Sequence, residues 1–484
     1  MKTFCIQTLG CKVNQYESEQ IAALLRARGM VPVASPAEAD LRVINTCSVT
    51  VQAASKSRQT VRRSVRLPML NGIEGPDPSA ILPAASPGES RARTIVMGCW
   101  ATSEPQEARL LSGVDAVVTH HQEVAAELNE LLERWSHALQ PSRRTSGRGG
   151  TYSLPLLDQR HTGHQRAMLK VQDGCDAHCT YCIIPSLRPN LWSKPIDDVV
   201  EEARRLVASG HAEIVLTGIF LGAYGQPTAL RRRQHPSDDV CALAKLIESL
   251  CTRVTGLQRL RFSSLEPGDL TTDLLRVMRD HPQVVPHFHL PLQSGSELLL
   301  RRMNRQYSRV EFLRMIDSVN EVFDRPAITT DIIVGFPGET DDEFDRTLEV
   351  VEHARFIQIH AFSFSPRPGT AAARWKDEFV HGPIVNQRIE RLTQLASEHS
   401  LAFRRQFIGE TVELLVERPK PFDTLRHGRC ERYFEVHFED ALAREGDSVS
   451  VKIERVSPHR TFGAPQAEFR NQPRLFPLPS SACT

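Results

Sequence analysis

Three closely spaced cysteines constrain this chain more than any other feature. Cys175, Cys179 and Cys182 lie four and then three residues apart, within the segment LKVQDGCDAHCTYCIIP of residues 169–185. One short loop with this spacing can place three thiolates around a single cubane iron–sulfur cluster. One iron of such a cluster has no protein ligand, so a small molecule can bind there.

A structural zinc site is the alternative interpretation of these cysteines. Structural zinc usually has four ligands, arranged in paired C-x2-C or C-H sets. The sequence has no second pair near the loop, and His178 is the only imidazole within it. The ligand count therefore favours the iron–sulfur cluster.

Length and composition indicate a multidomain protein without a membrane segment. A chain of 484 residues with 40% hydrophobic and 24% charged residues is typical of two to four ordinary soluble domains. It has neither a long apolar stretch nor an apolar N-terminal region, so we expect a cytoplasmic protein. Eleven cysteines in a reducing compartment favour metal or redox chemistry. A net charge of +1 means that any nucleic-acid surface must be a local patch.

Three further cysteines follow predicted strands in the N-terminal part of the chain. Strands are predicted at residues 3–9, 40–45 and 94–97, with Cys11, Cys47 and Cys99 in the loop after each. In a parallel sheet such loops share the carboxyl edge, where ligands bind. Taken alone, these cysteines read most simply as small buried residues, as Cys5 does inside the first strand. Beside the first cysteine loop, a second cluster with three protein ligands is the favoured interpretation.

The middle of the chain has the pattern of an incomplete TIM-like barrel. Helical stretches alternate with six predicted strands, and residues 308–311 and 340–343 have capping-box spacing. The strands are predicted at residues 169–172, 213–217, 259–262, 287–290, 328–334 and 356–359. Glycine-rich or polar segments at residues 216–225, 263–267, 289–296 and 331–340 follow strands, where the active groups of such barrels lie.

The C-terminal part of the sequence has the pattern of a small β-barrel. After a helix at residues 386–407, short alternating strands are predicted at residues 411–417, 432–438 and 448–456. Turns are predicted at His427-Gly428 and Gly446-Asp447. The proline-rich residues from 463 to 484 are predicted to be disordered.

Taken together, the chain resembles the radical-SAM methylthiotransferases. The resemblance lies in the cysteine loop, in TLGCKVNQYESE at residues 8–19, in VINTC at residues 43–47 and in MGC at residues 97–99. The KVNQ motif is most similar to the sequences of the branch that acts on N6-threonylcarbamoyladenosine in tRNA. It implies an α/β architecture of an N-terminal open parallel sheet, a partial (βα)6 radical-SAM barrel and a TRAM-like β-barrel that binds RNA. The implied boundaries are 1–139 for the N-terminal domain, 140–160 for a linker, 161–398 for the core, 399–462 for the TRAM-like domain and 463–484 for the tail.

The resemblance also implies two [4Fe-4S] clusters and S-adenosylmethionine (SAM). Cys175, Cys179 and Cys182 are the implied catalytic ligands of the SAM-binding cluster, and Cys11, Cys47 and Cys99 the ligands of the other. The implied SAM contacts are Tyr181, Gly218, Ser264, Glu266, Gln293, Ser294 and Val334.

The implied reaction adds a methylthio group to C2 of the modified adenosine at position 37, beside the tRNA anticodon. An electron passes from the first cluster to SAM and yields a 5′-deoxyadenosyl radical, while the second cluster holds sulfur that another SAM methylates. The implied partners are the tRNA anticodon loop and a low-potential flavodoxin or ferredoxin, with the protein a monomer. Isopentenyladenosine in tRNA and an aspartate of a ribosomal protein are alternative substrates. A non-catalytic iron–sulfur RNA-binding protein is the alternative from another class.

Several positions depart from the family pattern. Pro189 is rigid where a flexible residue is usual, Lys194 lacks the fork of an arginine, and Phe220 stands where histidine is common. Residues 68–90 and 226–238 read as insertions, and residues 140–150 as a linker. These departures leave the contacts to SAM and substrate open.

Overall fold

The structure is a computed structural model that describes residues 1–69, 92–119, 123–135, 154–157, 165–230, 241–420, 423–440 and 442–466. Most of the predicted insertions, the linker at residues 140–150 and the tail beyond residue 466 lie outside the described residues. The chain forms two compact units, one of residues 1–157 with 186–188, the other of residues 158–185 with 189–484. No described helix combines the length and apolar character that a bilayer span requires.

The first unit is a parallel sheet covered on both faces. Among its described residues the strand order is β2-β1-β3-β4-β5. The strands are β1 Thr3–Thr8, β2 Val31–Pro32, β3 Leu41–Thr46, β4 Arg93–Gly98 and β5 Ala116–Val118. The helices are α1 Lys12–Ala27, α2 Val51–Val65, α3 Cys99–Ser103, α4 Pro105–Leu110 and α5 Val124–Trp135.

Alternating residues of the central strands supply the two cores of this sheet. Val43 packs with Ile21 of α1 and Leu128 of α5 on one face. Its neighbour Ile44 packs with Val61 of α2 on the other face. Because both faces are covered, β3 is buried along its whole length, as expected for a strand inside a parallel sheet.

The second unit begins with a partial barrel of parallel strands. One sheet has the order β7-β6-β8-β9 and the next β10-β11-β12, and single bridges from Leu260 to Val284 and from Ser264 to His289 connect them. The strands are β6 Arg166–Asp173, β7 Trp192–Ser193, β8 Glu213–Gly218, β9 Arg259–Phe262, β10 His287–His289, β11 Ala327–Val334 and β12 Gln358–Ser363. The helices are α6 Ile184–Leu187, whose residues from 186 onward belong to the first unit, α7 Ile196–Ala208, α8 Ala242–Arg253, α9 Thr272–Asp280, α10 Glu297–Arg302, α11 Arg309–Val322, α12 Asp341–Ala354 and α13 Gly382–Arg405. The predicted partial barrel is confirmed, with the short β7 as an added antiparallel edge strand.

The second unit ends in a closed five-stranded barrel with the order β13-β14-β15-β17-β16 in the part of the chain that is described. Its strands are β13 Thr411–Val416, β14 Arg426–Cys430, β15 Glu435–Phe438, β16 Ser448–Val456 and β17 Thr461–Pro465. Leu414, Cys430, Val436 and Val451 are among its buried core residues.

Two predictions for this C-terminal region are wrong. His427-Gly428 is part of β14 and not a turn; a Cβ on Gly428 would lie 2.6 Å from the carbonyl oxygen of Leu415, so the glycine permits close strand approach. Residues 463–465 belong to β17 and close the barrel, so they are not part of a disordered tail. Helix α13 continues to Arg405 and so spans the proposed domain boundary between residues 398 and 399, which stays a prediction.

A buried ion network joins the two barrels of the second unit. Glu213 at the start of β8 is fully buried, and its carboxylate lies 2.7 Å from Arg261 Nε and 3.1 Å from Arg166 Nε. Arg166 also pairs with Glu417 at 2.7 Å, just after β13. The ring of Tyr433 lies under the guanidinium carbons of Arg166 and Arg261, which are 5.1 and 4.7 Å from its centroid. The network is at the amino ends of the barrel strands, where a structural role is expected.

A second polar group in the C-terminal barrel has the residue types of a metal site. Ligand atoms of Glu417, His427 and Glu435 lie within 4.8 Å of one another. Both carboxylates already have cationic partners, since Glu417 pairs with Arg166 at 2.7 Å and Glu435 with Lys420 at 2.6 Å. We therefore interpret the group as an ion-pair network that fixes β14 and β15.

Replacement of Glu213 tests the energetic role of the buried network. Glu213→Gln removes the anion between buried arginines, and we expect a loss of about 3–5 kcal/mol in the free energy of unfolding. Burial alone would raise the pKa of Glu213, but Arg261 and Arg166 lower it to about 2. The contribution is therefore complete above pH ~4.5 and declines as the pH falls toward ~2.

Urea unfolding of the wild type and the variant at neutral pH measures this difference. Glu201→Gln, on the exposed face of α7 where Glu201 pairs with Arg205, is the matched control and should change stability by less than about 0.5 kcal/mol. Equal stability of Glu213→Gln and the control would show that the network does not hold the unit together.

Candidate active site

The loop after β6 holds the three cysteines of the second unit. Cys175, Cys179 and Cys182 are unpaired and partly exposed. Burial, together with the nearby Cys179 thiol, raises the pKa of the Cys175 and Cys182 thiols to about 12. The three sulfur atoms are thus close enough to interact electrostatically.

This donor set fits the three protein ligands of a [4Fe-4S] cluster. Iron holds cysteine as thiolate, the form that burial alone disfavours here. Cys175 and Cys179 pack against the buried Ala177 and Ala223 and against Phe220. Phe220, a departure from the family pattern, therefore forms part of an apolar wall that limits the access of water to the cysteines.

The predicted SAM contacts on β8 and β9 lie at the carboxyl ends of these strands. Gly218 ends β8 next to Gln172, whose amide oxygen accepts a hydrogen bond from the backbone N–H of Phe220 at 2.8 Å. Ser264 forms a bridge with His289, and Glu266 two residues later forms an ion pair with Arg305. These strand-end positions lie on the same rim as the cysteine loop.

The other predicted SAM contacts differ in their surroundings. Gln293 follows β10 with a left-handed φ of 62°, and its backbone N–H donates to the carbonyl oxygen of Asp331 at 2.9 Å. Tyr181, inside the cysteine loop, accepts a hydrogen bond from Arg305. Ser294 and Val334 are fully buried, and the Ser294 hydroxyl lies 3.5 Å from that of Thr347. A contact of any of the seven predicted residues with SAM stays a prediction.

Arg305 is a site residue that the sequence analysis did not identify. Its Nη1 atom donates to the sulfur of Cys179 and to the hydroxyl of Tyr181, both at 3.2 Å. Burial opposes its charge, but the carboxylate of Glu266 raises the pKa of Arg305 well above its ordinary value. Arg305 follows α10, 126 residues from Cys179, and no motif or spacing in the sequence relates the two.

Lys194 is one of the positions that depart from the family pattern, and its side chain has a partner inside the protein. Its ammonium group lies 2.5 Å from the carboxylate of Glu202 on α7, and both side chains are buried. Burial lowers the pKa of Lys194. The charge at this position is therefore used in an internal ion pair.

In the first unit, the three cysteines that follow strands converge at the carboxyl edge of the sheet. Thr8 of β1 is opposite Asn45 of β3, and Thr46 is opposite Gly98 of β4, so the loops that carry Cys11, Cys47 and Cys99 are adjacent. Burial, together with nearby Cys11 and Cys47, raises the pKa of the Cys99 thiol to about 12.

Gly10 permits the close approach of two of these loops. Its φ is +102°, and a Cβ at this position would lie 2.8 Å from the Cβ and 2.9 Å from the sulfur of Cys47. Asn14 connects the same loops, because its amide donates to the carbonyl oxygens of Leu9 at 2.8 Å and of Thr46 at 3.0 Å. The glycine and asparagine of the GCKVN segment thus bring the cysteines together, and three thiols that form no disulfide fit a second cluster here.

A buried ion pair lies beside this second set of cysteines. Arg188, which belongs to the first unit, holds both carboxylate oxygens of Glu17 in α1 at 2.8 and 2.9 Å. The charge of Arg188 acts to lower the pKa of Cys99, against the effect of burial. The sequence analysis did not predict this pair, because its partners are 171 residues apart.

Comparisons with known proteins agree with this arrangement. The profile of the radical SAM superfamily matches residues 169–351, and that described as "Uncharacterized protein family UPF0004" matches residues 3–119. The threonylcarbamoyladenosine tRNA methylthiotransferase MtaB of Bacillus subtilis (strain 168) is 34% identical over 458 residues, 94% of each chain. The tRNA-2-methylthio-N(6)-dimethylallyladenosine synthase 1 of Mycobacterium marinum (strain ATCC BAA-535 / M) is 35% identical over 486 residues, 98% of this chain and 88% of that one.

A solved structure supports the fold alone. The radical S-adenosylmethionine methyltransferase TsrM from Kitasatospora setae, with cobalamin and a [4Fe-4S] cluster bound, has a TM-score of 0.52 at 13% identity. The likeness covers 77% of each chain. The relatives and the two profiles together carry the assignment: the chain belongs to the radical-SAM methylthiotransferase family.

Proposed function

We propose that this protein transfers a methylthio group to C2 of N6-threonylcarbamoyladenosine at position 37 of tRNA, as a cytoplasmic, monomeric tRNA (N6-L-threonylcarbamoyladenosine-C2)-methylthiotransferase. The observation that carries the proposal is the presence of two convergent cysteine triads, one in each unit. Relatives that are similar over nearly the whole chain have names that specify tRNA methylthiolation.

Each triad has a separate proposed task. Cys175, Cys179 and Cys182 would hold a [4Fe-4S] cluster that leaves one iron for SAM, and Cys11, Cys47 and Cys99 would hold the cluster that supplies sulfur. Together, the clusters and SAM supply the radical chemistry that an unactivated aromatic C–H bond needs, since no side chain can abstract that hydrogen. A low-potential flavodoxin or ferredoxin is the proposed electron donor.

The protein's own residues hold and shield the reacting groups. Phe220 and Ala177 form an apolar wall at the cysteine loop. Ser264 and Glu266 at the end of β9 offer a hydroxyl and a carboxylate for the ribose or amino group of SAM. A loop base of tRNA can be splayed out of its stack, so position 37 is physically reachable by such a rim.

The closed C-terminal barrel is the proposed RNA-binding module, resembling a TRAM domain. Lys452 and Arg455 on β16 are exposed, as is Arg460 in the following turn. These cations are the proposed phosphate-binding patch, although Glu454 between Lys452 and Arg455 is also exposed and the net charge of the chain is only +1.

N6-isopentenyladenosine is the second candidate substrate. Relatives named for the dimethylallyl compound are 34–36% identical to this chain, as similar as MtaB is. The KVNQ motif at residues 12–15 favours the threonylcarbamoyl compound as the substrate.

Mass spectrometry of tRNA nucleosides tests the substrate assignment. In a strain without this protein, we expect the 2-methylthio form of N6-threonylcarbamoyladenosine to disappear and the unmodified compound to accumulate. The 2-methylthio form of N6-isopentenyladenosine should be unchanged. Loss of that form instead would assign the second candidate substrate.

Iron content tests the two proposed clusters. The protein reconstituted without oxygen should bind about eight irons per chain if both clusters are cubanes. Replacement of Cys175, Cys179 and Cys182 by alanine should leave about four, because the other triad is in a separate unit. The matched control is Cys251→Ala, a buried cysteine of α8 outside both triads, which should keep about eight. Full iron in the triple variant would contradict the assignment.

Single cysteine variants separate the roles of the triads. Cys47→Ala should still release 5′-deoxyadenosine from SAM but yield no methylthiolated nucleoside, because SAM binds at the other cluster. Cys179→Ala should yield neither product. Liquid chromatography with mass detection measures both, after a thermal melt confirms that each variant is folded. Methylthiolation by folded Cys47→Ala would refute the proposed sulfur role of its triad.

A further inference from the structure

The positive charge of Arg305 is buried and lies within hydrogen-bond distance of one cysteine of the loop after β6. Its Nη1 atom is 3.2 Å from the sulfur of Cys179, and its Nη2 atom forms an ion pair with the carboxylate of Glu266. The side chain of Arg305 is only 7% exposed and that of Glu266 11%. Water therefore screens these charges weakly, and their effect on the cysteine sulfur is large.

The guanidinium group is held in a fixed position. Its central carbon lies 5.0 Å from the centroid of the Tyr307 ring, a cation–π distance. The hydroxyl of Tyr307 donates to the carbonyl oxygen of Pro291 at 2.7 Å, so the ring itself is anchored. The backbone N–H of Arg305 donates a hydrogen bond to the carbonyl oxygen of Leu300 in α10 at 2.9 Å. Arg305 therefore cannot easily withdraw from the sulfur.

The residues just before Arg305 hold the cysteine loop as well. The Asn304 amide donates to the carbonyl oxygens of Ala177 at 3.3 Å and of His178 at 3.0 Å. The backbone N–H of Thr180 donates to the carbonyl oxygen of Met303 at 3.0 Å. The segment of residues 303–305 is thus built against the cysteine loop, and Arg305 is the member of it that contacts sulfur.

We propose that Arg305 is a positioning residue that raises the reduction potential of the cluster held by Cys175, Cys179 and Cys182, and that Glu266 partly offsets this effect. The inference rests on the proposed function, because it requires that cluster. One-electron reduction adds a negative charge to the cluster, and a fixed cation hydrogen-bonded to its thiolate stabilises the reduced state. The carboxylate of Glu266, on the other side of the guanidinium, has the opposite effect.

A redox titration tests the inference. The full-length protein with both clusters is titrated with dithionite, without SAM or tRNA, and the reduced cluster is followed by electron paramagnetic resonance. Arg305→Gln should lower the midpoint potential, and Glu266→Gln should raise it. A tenfold change in the stability of the reduced cluster corresponds to a shift of about 59 mV for one electron.

Two further variants serve as controls. Arg305→Lys keeps the charge but loses the planar fork, so its potential should lie between those of the wild type and Arg305→Gln. Arg301→Gln removes a cation from the exposed face of α10, where Arg301 is 78% exposed and pairs with Glu297, and should not shift the potential. Replacement of all three loop cysteines by alanine identifies the signal of the other cluster.

Opposite shifts in the two Gln variants would not arise from a general loosening of the fold. With iron content unchanged, a wild-type potential in Arg305→Gln, or shifts of the same sign in Arg305→Gln and Glu266→Gln, would overturn the inference. If Arg305→Gln does not retain iron, Arg305→Lys and Glu266→Gln still decide the sign. Failure of the proposed function is a separate result, because it appears as full iron content in the triple cysteine variant.

Discussion

Parallel strand pairing is the constraint on which the rest of this structure depends. It brings the ends of β1, β3 and β4 to one edge of the first sheet, so that Cys11, Cys47 and Cys99 become neighbours although they are far apart in sequence. In the second unit the cysteine loop follows β6, and the ends of β8 and β9 lie on the same rim. The residues proposed to carry the chemistry thus lie at the carboxyl edges, where the sites of other α/β proteins lie.

The opposite end of the second unit has a structural role. Glu213 and its arginines are buried at the amino ends of the barrel strands and contact the C-terminal barrel through Glu417 and Tyr433. Such a network is costly to desolvate, and it is stable only when every charge has a partner. Stability and reactivity are thus separated along the strands, so changes at one end need not affect the other.

The two units use the same electrostatic device beside their cysteines. In the second unit Arg305 contacts Cys179 and pairs with Glu266; in the first, Arg188 pairs with Glu17, and its charge acts on Cys99. A cation near the thiols favours the thiolate form that iron requires, while the paired glutamate limits the net charge that is buried. Each triad thus has a charged pair next to it that contributes to its electrostatic environment.

The sequence by itself determined the two cysteine triads, the parallel strand series and the strand-end loops. These features could be predicted because the spacing of hydrophobic residues and the positions of loops depend on residues that are close in sequence. The sequence failed for His427-Gly428 and residues 463–465, where glycine and proline suggested a turn and a tail but barrel closure imposes strands. Only the tertiary structure decided that Arg305 contacts Cys179 and that Arg188 pairs with Glu17, across 126 and 171 residues. The physical reason is that the packing of the whole domain determines which residues lie next to a buried charge, and no local sequence pattern contains that information.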